Sequence, residues 1–335
     1  MIRADSARLP DWGGVHMQKE LIVAIGGGLA SALLCFGVFT GAGSGMLFAY
    51  LAPLPIFLAG LSSGFRSVTI GVLTGMVLIA AISGLVPVIK YAALIAAPTW
   101  LACRYILMTQ TGKNAVTIWY PIGDALSRLC AYGGLLLILA ALWVSGEGGL
   151  VGVIQENMDK AFTAQNIFKP AAERRELIEL VSPYIPATIF MTWLLMITIN
   201  LTLAQTILVK SGKNLRPTPT YSALYAPEWL YWAFVGAGVL VLIGAGSSET
   251  IEYVGRNLAL IFAAPFFFIG LGTVHVLVRQ TKRPGTMLAA FYVFIITVDW
   301  ASAVVAGIGF FEQWVELRTR YSAPPPDENK DEEEE

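Results

Sequence analysis

From Leu21 to Phe65 the chain runs 45 residues without one Asp, Glu, Lys, Arg or His. A helix crosses the hydrocarbon core of a bilayer in roughly 20 apolar residues. The run is therefore too long for one crossing and too apolar for a soluble core helix. It predicts two crossings joined at Gly41, Gly43, Ser44 and Gly45, where the backbone is free to turn. Composition extends this reading to the whole chain. Hydrophobic residues make up 56% and charged residues 13% of 335, which excludes a soluble domain carried on a single anchor.

The same reasoning threads the rest of the chain as an all-α polytopic bundle of about nine spans, near residues 21–40, 46–64, 67–88, 91–108, 120–144, 184–209, 229–246, 258–278 and 287–311. Eight spans, with the third or fourth run re-entrant, is the alternative. Outside the 21–311 membrane domain lie a leader over 1–20, a long connection over 145–182 and an acidic tail over 322–335. The leader is too long and too acidic for a cleavable signal, so no cleavage is expected; either Met1 or Met17 serves as the start. In the connection, Pro170 suits a helix start and Leu177, Ile178 and Val181 share a face that can rest on the membrane surface. The tail, with Pro324 to Pro326 and Glu332 to Glu335, has nothing to bury and reads as disordered.

Basic residues orient the bundle. With the N-terminus cytoplasmic, the inside loops hold Arg66, Arg104, Lys113, Lys210, Lys213, Arg216, Arg279, Lys282 and Arg283, and the short outside loops hold Lys90 and Arg256. Arg318 and Arg320 beside the last span count against this orientation. Two small-residue repeats, Gly71 with Gly75 and Gly37 with Gly41 and Gly45, predict close helix approach inside the bundle. The echo between Gly112, Lys113, Asn114 and Gly212, Lys213, Asn214 reads as shared turn chemistry.

Charges inside spans are costly, and an intramembrane carboxylate is a functional candidate by default. Asp299 sits in an otherwise uncharged run from Pro284 to Phe311. Asp124 and Arg128 are four residues apart with the acid first, the favourable order for a helical ion pair. Arg128, about 12 Å along its helix from Tyr120, and Asp299, about 18 Å from Met287, come within reach of one another if both spans start on the same side. Asn200 falls about 15 Å before Lys210. Asp124, Arg128, Asn200 and Asp299 thus form the candidate ligand or ion contact. His275 reads as interfacial.

Several chemistries lack their residues. Two histidines, no His-Glu-x-x-His and no Cys or His pair at ligand spacing argue against a zinc enzyme. Cys35, Cys103 and Cys130 all lie in apolar runs and read as buried hydrophobes. No Walker loop is present, and Pro121, Ile122, Gly123, Asp124 lacks the first glycine of an intramembrane aspartyl protease motif. No enzyme activity, cofactor, metal or nucleic-acid partner is expected.

Ala226, Pro227, Glu228, Trp229, Leu230, Tyr231 and Trp232, then Phe267 to His275, and the early stretch Leu51 to Gly64 with Pro53, Pro55, Gly60 and Gly64, resemble the YybS-like predicted membrane proteins of bacteria, a domain of unknown function numbered 2232. The resemblance implies a multi-pass bacterial plasma-membrane protein. It also implies a distant similarity to the substrate-capture subunits of energy-coupling-factor vitamin transporters, and carries over no functional residue. The expected role is solute binding or transport, contacting a small polar solute or coupling to protons. The alternative is a noncatalytic scaffold or assembly factor engaging a partner membrane or cytoplasmic subunit, or anionic lipid.

Overall fold

The computed structural model describes residues 12–39, 45–111, 117–144, 149–164, 170–219, 224–298 and 300–320. The acidic tail, the first copy of the Gly-Lys-Asn echo and Asp299 lie outside the described residues. The architecture is helical, with one small antiparallel hairpin of β1 (Thr109–Thr111) and β2 (Thr117–Trp119) that the sequence reading did not anticipate. The chain divides into two bodies. One comprises residues up to Tyr120 together with Thr192–Thr218; the other comprises Pro121–Met191 and the residues from Pro219 onward.

In the first body, α1 (Trp12–Phe39) packs on α3 (Pro53–Ser63) and α4 (Phe65–Ser83), with α2 (Gly45–Ala49) beside it. Glycine permits these approaches. A Cβ at Gly28 would lie 2.1 Å from the Gly71 carbonyl oxygen, and one at Gly37 would lie 2.7 Å from the Gly45 Cα. Gly37, Gly45, Gly71 and Gly75 therefore serve packing within this body, and Gly41 lies outside the described residues. Tyr91, fully buried, reaches across Gly75 and shares a 2.8 Å hydrogen bond with Ser31 of α1.

Three expected boundaries move here. The second predicted span is not one helix: it breaks at Tyr50 to Ala52. Pro53 and Pro55 lack the N–H groups that a continuous helix would need to bond back through that segment. The break in the 67–108 region falls at Gly84, which takes φ +83°, a conformation that costs glycine nothing. Lys90, expected in a loop, consequently lies within α5 (Leu85–Tyr91). A π-helical stretch, Ala92–Ala96, then joins α5 to α6 (Ala97–Ile106).

In the second body, α7 (Ile122–Trp143) packs on a long helix, α12 (Glu249–Arg279), which also receives α11 (Glu228–Ser247) and α14 (Ala301–Val315). Cβ atoms at Gly270 and Gly309 would lie 1.9 Å and 1.8 Å from the carbonyl oxygens of Val305 and Phe266, so α12 and α14 touch backbone to backbone. The α12 helix starts well before the predicted 258, where Glu249 and Glu252 favour its first turn. Arg256, expected in a loop, instead pairs with Glu252 one turn back. The predicted connection holds α8 (Gly149–Ala164) and α9 (Ala171–Val181), tied by Arg174 donating to Asp159 at 2.6 Å. A single turn, Ser182–Tyr184, leads into α10 (Ile185–Lys210), which contributes to both bodies.

The predicted ninth span divides into α13 (Pro284–Thr297) and α14, bent by 117°. Among the described residues seven helices are long and apolar enough to cross a membrane, or eight if that bent pair is one span. The count of about nine is reached only by adding the shorter apolar segment Leu47–Ser63. The three cysteines are free and buried.

Candidate functional site

The polar features of the first body gather where its helices depart from α geometry. Asn200, on α10 and 2% exposed, donates from Nδ2 to the Tyr50 carbonyl at 2.7 Å and to the Met196 carbonyl at 2.8 Å. The Tyr50 carbonyl sits at the α2–α3 break, where the helical ladder cannot supply a donor. The Asn200 Oδ1 is buried with no hydrogen-bond partner. Thr99, fully buried on α6, has an equally unpartnered Oγ1.

Other helical threonines explain that exception. Thr69, Thr74, Thr198, Thr206 and Thr273 return their hydroxyls to the carbonyl four residues back. For Thr99 that carbonyl belongs to Ile95, inside the π stretch, where the Ala97 N–H bonds five residues back to Ala92. A π segment re-aims carbonyls and is frequent at functional sites. Trp193 Nε1 donates to the Leu94 carbonyl at 2.7 Å. At the other end, the Arg216 carbonyl accepts from Gln205 of α10 at 2.8 Å, and Arg216 Nη1 donates to the Ile106 carbonyl at 2.9 Å. The two helices therefore run alongside each other in the same direction. Counting from the Trp193–Leu94 contact, Asn200 lies about 10 Å and Thr99 about 8 Å further on.

In the second body, Asp124 and Arg128 occupy the first two turns of α7, with Asp124 half-buried and Arg128 exposed. The Arg128 guanidinium lies over the Trp229 ring at 5.2 Å. The α7 start is pressed onto the Tyr225 backbone, since a Cβ at Gly123 would meet its carbonyl oxygen at 1.8 Å. Burial, and then the nearby Asp124 carboxylate, push the Tyr225 phenol above its usual value. His275, read from sequence as interfacial, is half-buried; its Nδ1 donates to the Leu271 carbonyl at 2.8 Å and its Nε2 lies 3.3 Å from Tyr292 Oη. The structure thus places Asp124 and Arg128 one turn apart on α7, assigns Asn200 to the first body and leaves Asp299 outside the described residues.

A family model described as predicted membrane protein, DUF2232, matches residues 28–312 of the chain. The chain belongs to the DUF2232 family. No curated protein and no solved structure matches it. The DUF2232 match takes in both bodies and every candidate named above.

It also ends at a residue that the sequence reading passed over. Glu312, 3% exposed on α14, receives the Arg318 backbone N–H at 2.9 Å and Arg318 Nε at 3.0 Å, both on Oε1. Arg318 Nη1 donates to the Leu224 carbonyl at 2.7 Å. Thr99 was missed because a threonine in an apolar run carries no signal until the π stretch deprives it of a partner. Glu312 was missed because it lies just past the charge-free run; its spacing of six from Arg318 was the available sign.

Proposed function

We propose that the protein is a solute-binding or transport-type membrane protein whose solute contacts Asn200. One observation carries this reading: a fully committed amide donor and a buried, unpartnered amide acceptor share one side chain at a helix break. Discontinuous helices with freed backbone groups are where secondary transporters place solutes and coupling ions. A buried acceptor without a partner costs about 1–3 kcal/mol, a cost that a bound donor removes. Asp124 and Asp299 are the carboxylates available for proton coupling, Arg128 is a fixed positive charge one turn from Asp124, and no catalytic residue is assigned.

We place the chain in a bacterial plasma membrane with its N-terminus cytoplasmic. It crosses nine times, with Leu47–Ser63 and the bent α13–α14 pair as the two irregular crossings. Such a protein suits substrate capture of the kind performed in energy-coupling-factor transporters. A second reading, a scaffold for a partner membrane subunit, is favoured by α13, which buries none of its residues in the chain. The test is a thermal-stability screen of small polar solutes on the purified protein, since a ligand that binds the folded state raises its apparent stability. A solute whose effect is lost in Asn200→Ala or Asp299→Asn supports binding. Variants that lower stability with no solute effect to lose support the scaffold.

A further inference from the structure

The Glu312–Arg318 contact has the form of a binding site filled by the chain's own side chain. The carboxylate is almost wholly buried, whereas the Arg318 side chain keeps 17% exposure and so lies on the open side of the pair. The Arg318 backbone N–H and Nε both bond to Oε1, and Oε2 is buried without a hydrogen-bond partner. A bridge kept only for stability is best served by a two-toothed guanidinium that satisfies both oxygens, because buried charge is costly unless fully compensated.

The walls are aromatic. Tyr231 lies within electrostatic reach of both charges. Its ring sits 5.0 Å from Trp314 and 5.2 Å from Phe310. Trp314 is 59% exposed and stands at the rim. A carboxylate, a carbonyl and aromatic faces are together the chemistry that recognises a delocalised cation. Arg318 reaches this position from α15 (Leu317–Arg320), a helix of four residues entered through Glu316, whose φ of +52° is disfavoured for any residue but glycine. The occupying side chain therefore rides on a short strap with a strained hinge.

We propose that Glu312, the Leu224 carbonyl and the Tyr231–Trp314 rings form a receptor for the guanidinium group of a small organic cation, and that Arg318 fills it until such a cation displaces it. The incoming group takes over the Oε1 and Leu224 contacts and gains Oε2, and charge balance at Glu312 is retained.

The probe is methylguanidinium, with tetramethylammonium at equal ionic strength as the cation that cannot donate hydrogen bonds. Thermal unfolding is followed for the wild type, Arg318→Ala and the double variant Glu312→Gln/Arg318→Ala, each as the full chain in detergent. The expected result is a saturable rise in the Arg318→Ala midpoint with methylguanidinium alone, and no rise in the double variant. If Arg318→Ala folds only when methylguanidinium is present during purification, the proposal is likewise supported. In the wild type, methylguanidinium should accelerate cleavage after Glu316 by a glutamate-specific protease as the strap is released, and tetramethylammonium should not. An Arg318→Ala midpoint indifferent to methylguanidinium, an equal rise in the double variant, or failure of Arg318→Ala to fold with the probe while the double variant folds would overturn the receptor. Unchanged wild-type cleavage would overturn the displacement.

Discussion

Asn200 joins the polar chemistry of the first body to a flaw in its backbone. Its amide group replaces, for the Tyr50 carbonyl, the Leu54 N–H of a continuous helix, which at this break bonds to the Leu51 carbonyl instead. Asn200→Ala is therefore expected to lower stability by about 1–3 kcal/mol, read as a fall in the thermal midpoint, with the helical content of the folded state retained. Tyr225 supplies a pH-dependent counterpart in the second body. Because its folded value is raised above the ordinary 10.0, its contribution is intact below that value and is lost as pH rises through the folded one. Thermal midpoints measured across the alkaline range should fall less steeply in Tyr225→Phe than in the wild type. Of these residues, Asn200, Asp124 and Arg128 were legible as polar groups in apolar runs. What each of them touches was not, because the Tyr50 carbonyl and the Trp229 ring lie 150 and 101 positions away from their partners in the chain.

At the scale of elements, breaks and close approaches matter more than apolar length. Charge-free length found the long apolar helices Ile122–Trp143 and Glu228–Ser247, which are long and apolar enough to cross a membrane. It misplaced boundaries wherever a helix carried its own polar turn, as at Glu249 to Arg256, or continued through a lysine, as at Lys90. Hydropathy averages over a window, so it registers neither a glycine at φ +83° nor a π stretch. The α12–α14 contact offers a sharp test of packing, because Gly270 meets the Val305 backbone, which cannot move aside as a side chain could. Gly270→Leu should destabilise the second body by more than the about 1–3 kcal/mol usual for overpacking. Gly285→Leu, with open space around it, should leave the midpoint of thermal unfolding nearly unchanged.

Across the whole molecule, two bodies each bring polar groups to places where the backbone is irregular or the core is aromatic. The membrane class was legible from composition alone, since no other solvent suits such a chain. The candidate site was legible only in part. A polar residue in an apolar run declares that something compensates it, whereas the missing partner at Thr99 and the pairing at Glu312 depend on a π stretch and on a strap that sequence spacing does not reveal. Threading is testable separately: with nine crossings and a cytoplasmic N-terminus, a reporter fused after Tyr321 should read extracytoplasmic, and a cytoplasmic signal would mean either that one irregular segment does not cross or that the orientation is reversed. The central claim, solute binding at Asn200, is tested most directly by thermal unfolding of the purified wild type and Asn200→Ala across a panel of small polar solutes. The account predicts at least one solute that raises the wild-type midpoint in a saturable way and leaves the variant, still unfolding cooperatively, unmoved. A panel without any such solute, or a shift of equal size in the variant, would contradict it.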